Sequence, residues 1–291
     1  YIGGSTIPLL IFLLMNLILG SDAMLFCLSF AFGLTAVWWF VFSFPLLKNV
    51  KQESFVPRKK GAVKEALKGI GGTVKEIFRY KQMFVFLIAY FFYIDGVNTI
   101  IHMSTSYGDT LGLDSTSMLL ALLLVQVLGL PFALLYIKAS EKFGARFMVG
   151  VGICVYMGVT IFGFFLREAW QFWVMAIMVA TSQGGIQALS RSMFGKMIPD
   201  KKRTGEFFGF YDIFGKFSAI MGPALVGLTS ALAADVMLKN AGETRATASE
   251  ALLAQVNVDA APWGILSVLI IFFIGGGLYF FVLPKYRKKK G

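Results

Sequence analysis

Apolar runs of about twenty residues, separated by short polar stretches, dominate the pattern along the chain. At about 1.5 Å per residue, a helix formed by such a run crosses a hydrocarbon core of roughly 30 Å. We count eight of these runs. They predict membrane-spanning helices over residues 4–20, 24–47, 83–103, 117–137, 147–166, 169–189, 206–232 and 263–283. The fold class predicted by the pattern is therefore an all-α membrane protein.

Composition supports this assignment and changes the interpretation of the charge. Hydrophobic residues make up 57% of the chain and the mean hydropathy is +0.73, which is more apolar surface than a soluble domain can bury. The formal net charge of +11 would point to nucleic acid in a soluble protein. Here the basic residues cluster between the spans, so the lipid bilayer is the expected partner and nucleic acid is not.

The basic residues also predict the topology. The segment from Lys48 to Lys81 holds ten of the 27 Lys and Arg residues, and the next basic clusters follow every second span. The intervening loops hold few cations. Because cytoplasmic loops of membrane proteins are enriched in Lys and Arg, the basic loops and the C-terminus are expected on the cytoplasmic side. The expected location is a plasma or inner membrane, or a vacuolar membrane in a eukaryote.

The region between the second and third spans is expected to lie on the inner leaflet. Val63, Leu67, Ile70 and Val74 recur at helical spacing, which predicts an amphipathic helix within residues 48–82. At the other end, Tyr1 is already close to the first span and no basic residue precedes Lys48. We therefore expect earlier spans to precede Tyr1 in the natural protein.

The third span carries polar side chains at mid-membrane depth. A charge at the centre of a spanning helix costs about 2.5–3.5 kcal/mol, so such residues usually face a cavity or a partner. Asp95, Asn98 and His102 form a polar stripe, with Tyr93 nearby. The stripe is a candidate substrate or proton pathway. His102 lies near the outer end of the span, where solvation alone also explains it.

The seventh span adds a second carboxylate and a cation. Asp212 and Lys216 are four residues apart, which predicts an ion pair within the helix. Lys216 is almost level with Asp95, so two carboxylates compete for one cation. The unpaired carboxylate in a medium of low dielectric constant would favour its protonated form. The set is predicted to act as a proton relay or a substrate clamp, and a purely structural lock stays open as the alternative.

The sixth span supplies amide side chains. Gln183 and Gln187 share a helix face beside Gly184 and Gly185, where another backbone can approach closely. They are candidates for hydrogen bonds to a substrate. Contacts between helices are an equally good explanation of the same pattern.

Signals for enzymatic chemistry are missing from the sequence. A single histidine excludes an HExxH metal site, and there is no GxSxG pattern. Cys27 and Cys154 both lie in apolar spans, without metal-ligand spacing. We expect no enzymatic activity, no cofactor and no bound metal.

The order of two spans, a linker and six spans resembles the second half of a major facilitator superfamily transporter. The turn EKFGAR, residues 141–146, resembles the acidic–basic–x–Gly–x–basic signature of that superfamily. The resemblance implies a major facilitator fold with eight of twelve transmembrane helices present. It implies the last two helices of the N-terminal bundle over 1–47, a linker over 48–82 and the C-terminal six-helix bundle over 83–291. It also implies a gating role for Glu141, Lys142 and Arg146.

Two longer stretches resemble a particular branch of that superfamily. AYFFYIDGVNTIIHMSTSYG and GGIQALSRSMFGKMIP are similar to the vacuolar, autophagy-linked amino-acid effluxers. The resemblance implies secondary active transport of a small solute by alternating access, with amino acids as candidate substrates. Protons are preferred to sodium as the coupling ion, because the sequence shows no cluster of oxygen ligands. A monomer is expected. A lipid or drug exporter of the same superfamily, and a non-transporting membrane receptor or scaffold, remain as alternatives.

Overall fold

The computed structural model describes residues 6–50, 72 and 76–283. Over these ranges the chain forms α-helices and no strand, which confirms the predicted all-α class. The helices are α1 (Ile7–Leu19), α2 (Met24–Asn49), α3 (Lys81–Thr110), α4 (Ser115–Phe143), α5 (Ala145–Phe164), α6 (Ala169–Met197), α7 (Thr204–Asn240) and α8 (Glu250–Gly277). A π-helical turn, Leu278–Val282, extends α8.

Each predicted span coincides with one of these helices. Seven are long and apolar enough to cross a membrane, and α1 is a shorter apolar helix of 13 residues. Side-chain caps mark the starts of α4 and α6. Asp114 accepts a hydrogen bond from the Ser117 amide at the start of α4, and Glu168 and Gln171 form a capping box at the start of α6.

The helix α8 begins earlier in the chain than the predicted span over residues 263–283. The cap is Ser249, which accepts a hydrogen bond from the Leu252 amide, and one continuous helix then runs through Pro262. Val256 and Ala260 bury their side chains against α7, in a small apolar cluster with Ala234 and Leu238. This packing holds the segment on the bundle as the first turns of α8.

The helices α1 and α2 pack against each other, and α2 leaves most of its apolar side chains exposed. Leu25 is 81% exposed and Phe40 is 76% exposed. A continuous apolar surface of this kind is unfavourable in water and suits lipid or a further protein surface.

The helices α3 to α8 pack into a bundle with α3 at its centre. It contacts α7 and α8 along most of its length, while α6 packs against α4 and α5. Aromatic side chains fill the interior, and the largest of those that are fully buried are Tyr93, Tyr156, Tyr279, Phe86, Phe194, Phe207 and Phe272. In contrast, α4 and α7 present apolar side chains such as Leu130 and Phe217 on the outside.

The predicted amphipathic helix of the linker lies outside the described residues. Residues 76–79 just before α3 are helical, and Glu76 forms an ion pair with Arg203 at an Nη1–Oε2 distance of 2.5 Å. This contact ties the end of the linker to the start of α7.

Candidate functional site

A polar crevice of about 440 Å³ lies between α3, α6 and α7. It lies beside the middle of α3, the second half of α6 and the first third of α7. Its polar lining comprises Asn98 from α3, Gln187 and Arg191 from α6, and Asp212 and Lys216 from α7. Four of these five were singled out by the sequence, and they come from three separate spans.

An ion pair between α6 and α7 forms one wall of the crevice. Arg191 Nη1 lies 2.8 Å from Asp212 Oδ1, and both side chains are about half exposed. The guanidinium also lies over the aromatic rings of Phe208 and Tyr211, at 4.7 Å and 5.8 Å from their centroids. The aromatic faces and the carboxylate together fix the position of this cation.

The predicted ion pair between Asp212 and Lys216 is therefore wrong. Lys216 also lines the crevice, but among the described residues no carboxylate lies within ion-pair distance of its ammonium group. Arg191 takes the carboxylate because its planar guanidinium reaches across from α6 and is held on aromatic rings, which a flexible lysine on the same helix is not.

Asp95 occupies a packed seam rather than the crevice. Its side chain is fully buried, and its Oδ1 accepts a hydrogen bond from the backbone amide of Gly222 on α7, at 3.1 Å. Asp95 Oδ2 and the neighbouring hydroxyl of Thr99 have no hydrogen-bond partner within the described part of the chain. The predicted competition of Asp95 and Asp212 for Lys216 is therefore wrong, because Asp95 contacts Gly222 and Asp212 pairs with Arg191.

The helical register of α3 explains this separation. Asp95 and Thr99 are four residues apart and meet Gly222 of α7, while Ile94 and Asn98 are four residues apart and face the crevice. One helix therefore presents a polar residue to each of two neighbouring environments.

Tyr93 and His102 also lie away from the crevice. Tyr93 is fully buried, its hydroxyl lies 2.7 Å from Ser190 Oγ, and its ring makes edge contacts with Tyr90 and Tyr279. These contacts join α3 to α6 and to the end of α8. His102 is exposed near the other end of α3, as expected for a solvated side chain.

Gln183 and Gln187 line different cavities. Gln187 reaches the crevice, whereas Gln183 lines a separate cavity of about 80 Å³ between α3, α4 and α6, together with Ser104 and Gln126. Four residues advance a helix by about 6 Å along its axis, so the two glutamines lie at different depths along α6.

The turn of the signature stretch is held against the end of α8. Gly144 reverses the chain at φ 87°, a backbone conformation that favours glycine. Tyr279 donates its hydroxyl hydrogen to the Arg146 carbonyl oxygen at 2.9 Å, and Arg146 Nη2 lies 3.4 Å from the Tyr279 carbonyl oxygen. Glu141 and Lys142 are exposed. Their predicted gating role stays a prediction.

Arg191 is the crevice residue that the sequence interpretation missed. It lies one helical turn after Gln187 and on the same face. That spacing was the available signal. The described residues contain no group of three or more His, Cys, Asp or Glu side chains able to hold a metal ion.

Residues 1–235 match the model of the vacuole effluxer Atg22-like family. The chain belongs to this family. This match confirms the resemblance drawn from the sequence. The family is one of MFS-type membrane transporters.

Relatives from bacteria and fungi agree. The chain is 46% identical over 233 residues to the uncharacterised MFS-type transporter YxiO of Bacillus subtilis, covering 79% of this chain and 54% of that protein. It is 24% identical over 227 residues to autophagy-related protein 22-1 of Aspergillus niger, covering 70% and 37%. This Atg22-like chain thus spans about half the length of YxiO and less of its fungal relative. No solved structure matches it.

Proposed function

We propose that this Atg22-like protein is a secondary active transporter that moves a small solute by alternating access. The crevice between α3, α6 and α7 is one half of its substrate site. The observation that carries this function is the meeting of both signs of charge with amide groups in one cavity between three spanning helices. Transporters of this general kind bind substrate near the bilayer midplane, between bundles that move against each other.

The charges of the crevice suit a zwitterionic amino acid. Asp212 can accept hydrogen bonds from a substrate ammonium group, and Arg191 or Lys216 can donate to a substrate carboxylate. The Arg191–Asp212 pair already holds one charge of each sign, so a zwitterion that separates the pair leaves every charge with a partner. The amides of Asn98 and Gln187 add neutral hydrogen-bonding groups.

The proposed function assigns a part to each segment of the chain. Residues 1–47 supply the last two helices of the first bundle, 48–82 the cytoplasmic linker and 83–291 the second bundle. The exposed apolar surfaces of α2, α4 and α7 support this, because they offer area for a second bundle and for lipid. The turn with Glu141, Lys142 and Arg146 gates the cytoplasmic side, and the C-terminus is cytoplasmic.

Asp95 is the proposed proton-carrying group. An ionised carboxylate without a cationic partner is costly in a dry interior, so a proton on the unpartnered Oδ2 accompanies its burial. The contact between Asp95 and Gly222 lies next to Pro223, which has no backbone N–H to donate within α7. Protonation changes at Asp95 would thereby act on the packing of α3 against α7.

Transport by the full-length protein in proteoliposomes tests this function. We expect uptake of amino acids to be driven by an imposed pH gradient, and we expect Asp212→Asn to abolish it. Movement of a fluorescent lipid or a hydrophobic drug, with no amino-acid uptake, would favour the exporter alternative. Protein that is folded and correctly inserted but moves none of these solutes would contradict transport.

A further inference from the structure

A second and larger cavity lies at one end of the bundle, away from the crevice. Its volume is about 1400 Å³, and it is bounded by the starts of α3 and α5 and by the ends of α6 and α8. These are the helix ends that carry the basic loops. The cavity shares no lining residue with the crevice.

Among the residues that the structure describes, four cationic side chains line this cavity: Arg79, Lys81, Arg146 and Lys196. Within the described ranges, no Asp or Glu lines the cavity and none of the four cations forms an ion pair with a carboxylate. By contrast, Arg203 nearby on the same side is neutralised by both Glu76 and Glu206. Four unpaired cations around one concavity create a positive potential that attracts an anion.

The walls between the cations are apolar and aromatic. Phe143, Phe147 and Phe280 line the cavity and are 57%, 59% and 39% exposed, and three methionines, Met83, Met193 and Met197, complete the surface. The Tyr279 hydroxyl donates a hydrogen bond to the Arg146 carbonyl oxygen, which fixes the backbone position of this cation. A concave surface with cations at its rim and exposed aromatic rings suits an amphiphile with an anionic head.

We propose that this cavity, which we term the basic cavity, is a binding site for a phosphate-bearing anion. The phosphate contacts Lys81, Lys196 and the arginines, and the apolar walls take the hydrocarbon part when the anion is a phospholipid. A phospholipid headgroup and a free phosphate offer the same chemistry to the cations. The apolar lining predicts that the phospholipid binds more tightly.

Binding to the full-length protein tests the site without reference to transport. The protein, purified in detergent, is titrated with phosphatidylglycerol, with phosphatidylcholine and with inorganic phosphate, and bound ligand is counted by native mass spectrometry. We expect phosphatidylglycerol to bind more tightly than phosphatidylcholine. In the double variant Lys81→Gln/Lys196→Gln we expect about 30-fold weaker binding of phosphatidylglycerol, because each cation near an anionic headgroup contributes roughly 1 kcal/mol.

The matched control removes two positive charges from the same end of the bundle outside the cavity. Lys138→Gln/Lys201→Gln has the same change in net charge, and both lysines are exposed and absent from the lining. We expect it to bind phosphatidylglycerol like the unmodified protein. Equal weakening in both double variants, or equal binding of the two phospholipids, would overturn the site. Saturable binding of inorganic phosphate, lost only with Lys81→Gln/Lys196→Gln, would support the site with a soluble anion as its ligand.

Discussion

Asp95 on α3 accepts a hydrogen bond from the backbone amide of Gly222 on α7, at an Oδ1–N distance of 3.1 Å. The contact brings a buried carboxylate against the backbone of a neighbouring helix, one residue before Pro223. It requires the two helices to approach closely, and a side chain at position 222 would prevent this. The close approach of α3 and α7 at this point therefore depends on Gly222 and Asp95.

Replacing Gly222 by alanine is expected to destabilise the bundle. A Cβ atom at this position would lie 2.8 Å from Thr99 Cβ and overlap the Thr99 hydroxyl, and Thr99 cannot move because its Cβ is attached directly to the backbone of α3. Overpacking of this kind costs about 1–3 kcal/mol. We expect a lower thermal unfolding midpoint in detergent.

Gly227→Ala is the matched control for that experiment. Gly227 lies on the same helix, and a Cβ atom there has no neighbour within 4 Å. Because alanine favours a helix more than glycine does, the thermal unfolding midpoint of Gly227→Ala should equal or exceed that of the unmodified protein. Equal destabilisation by the two changes would show that the contact with Thr99 does not limit the packing of α3 against α7.

Asp95→Asn tests the proposed proton-carrying role. Asparagine keeps an oxygen that can accept from the Gly222 amide, so the fold should be retained, but it cannot exchange a proton near neutral pH. We expect uptake driven by a pH gradient to be lost, while exchange of substrate across the membrane continues. Asp109→Asn, an exposed acid near the end of the same helix, is the control and should transport normally. Unchanged gradient-driven uptake in Asp95→Asn would end the assignment.

The Arg191–Asp212 pair allows a charge-exchange experiment. Arg191→Ala and Asp212→Ala should each reduce amino-acid uptake at least tenfold, because each removes one of the two charges that a zwitterion needs. The exchanged double variant Arg191→Asp/Asp212→Arg should recover part of the thermal stability but little uptake, because the substrate would meet the charges in reversed positions. Recovery of full uptake in the exchanged variant would indicate a purely structural pair.

A second ion pair supplies the control for these variants. Arg245 Nε lies 2.6 Å from Asp235 Oδ1, and both side chains are 55% exposed, much like the crevice pair. It joins the last turns of α7 to the loop that follows them, outside the crevice lining. Arg245→Ala should therefore leave uptake unchanged, and an effect as large as that of Arg191→Ala would point to a general loss of stability.

Tyr93→Phe should lower stability without altering substrate affinity. Ser190 donates its only hydroxyl hydrogen to the Ile186 carbonyl oxygen, so the bond between the two hydroxyls must be donated by Tyr93. Its loss leaves the buried Ser190 oxygen with one acceptor site unused, which costs about 1 kcal/mol. Chemical or thermal unfolding measures the change, with Tyr80→Phe at an exposed position as the control. A changed apparent affinity for substrate in Tyr93→Phe would instead place Tyr93 in the pathway.

The sequence by itself determined the helices, because spanning length and apolar composition are local properties that each segment carries alone. It also singled out Asn98, Gln187, Asp212 and Lys216, since polar side chains in an apolar helix need a partner or a cavity. The family resemblance likewise depended on short stretches of local sequence.

Only the tertiary structure decided which helix faces meet. Arg191 rather than Lys216 pairs with Asp212, and Asp95 faces Gly222 rather than the crevice. Residues four apart on one helix share a face, but the partner of that face depends on how the helices are rotated and shifted against each other. That arrangement follows from the packing of the aromatic interior and the glycine contacts, which no single span determines.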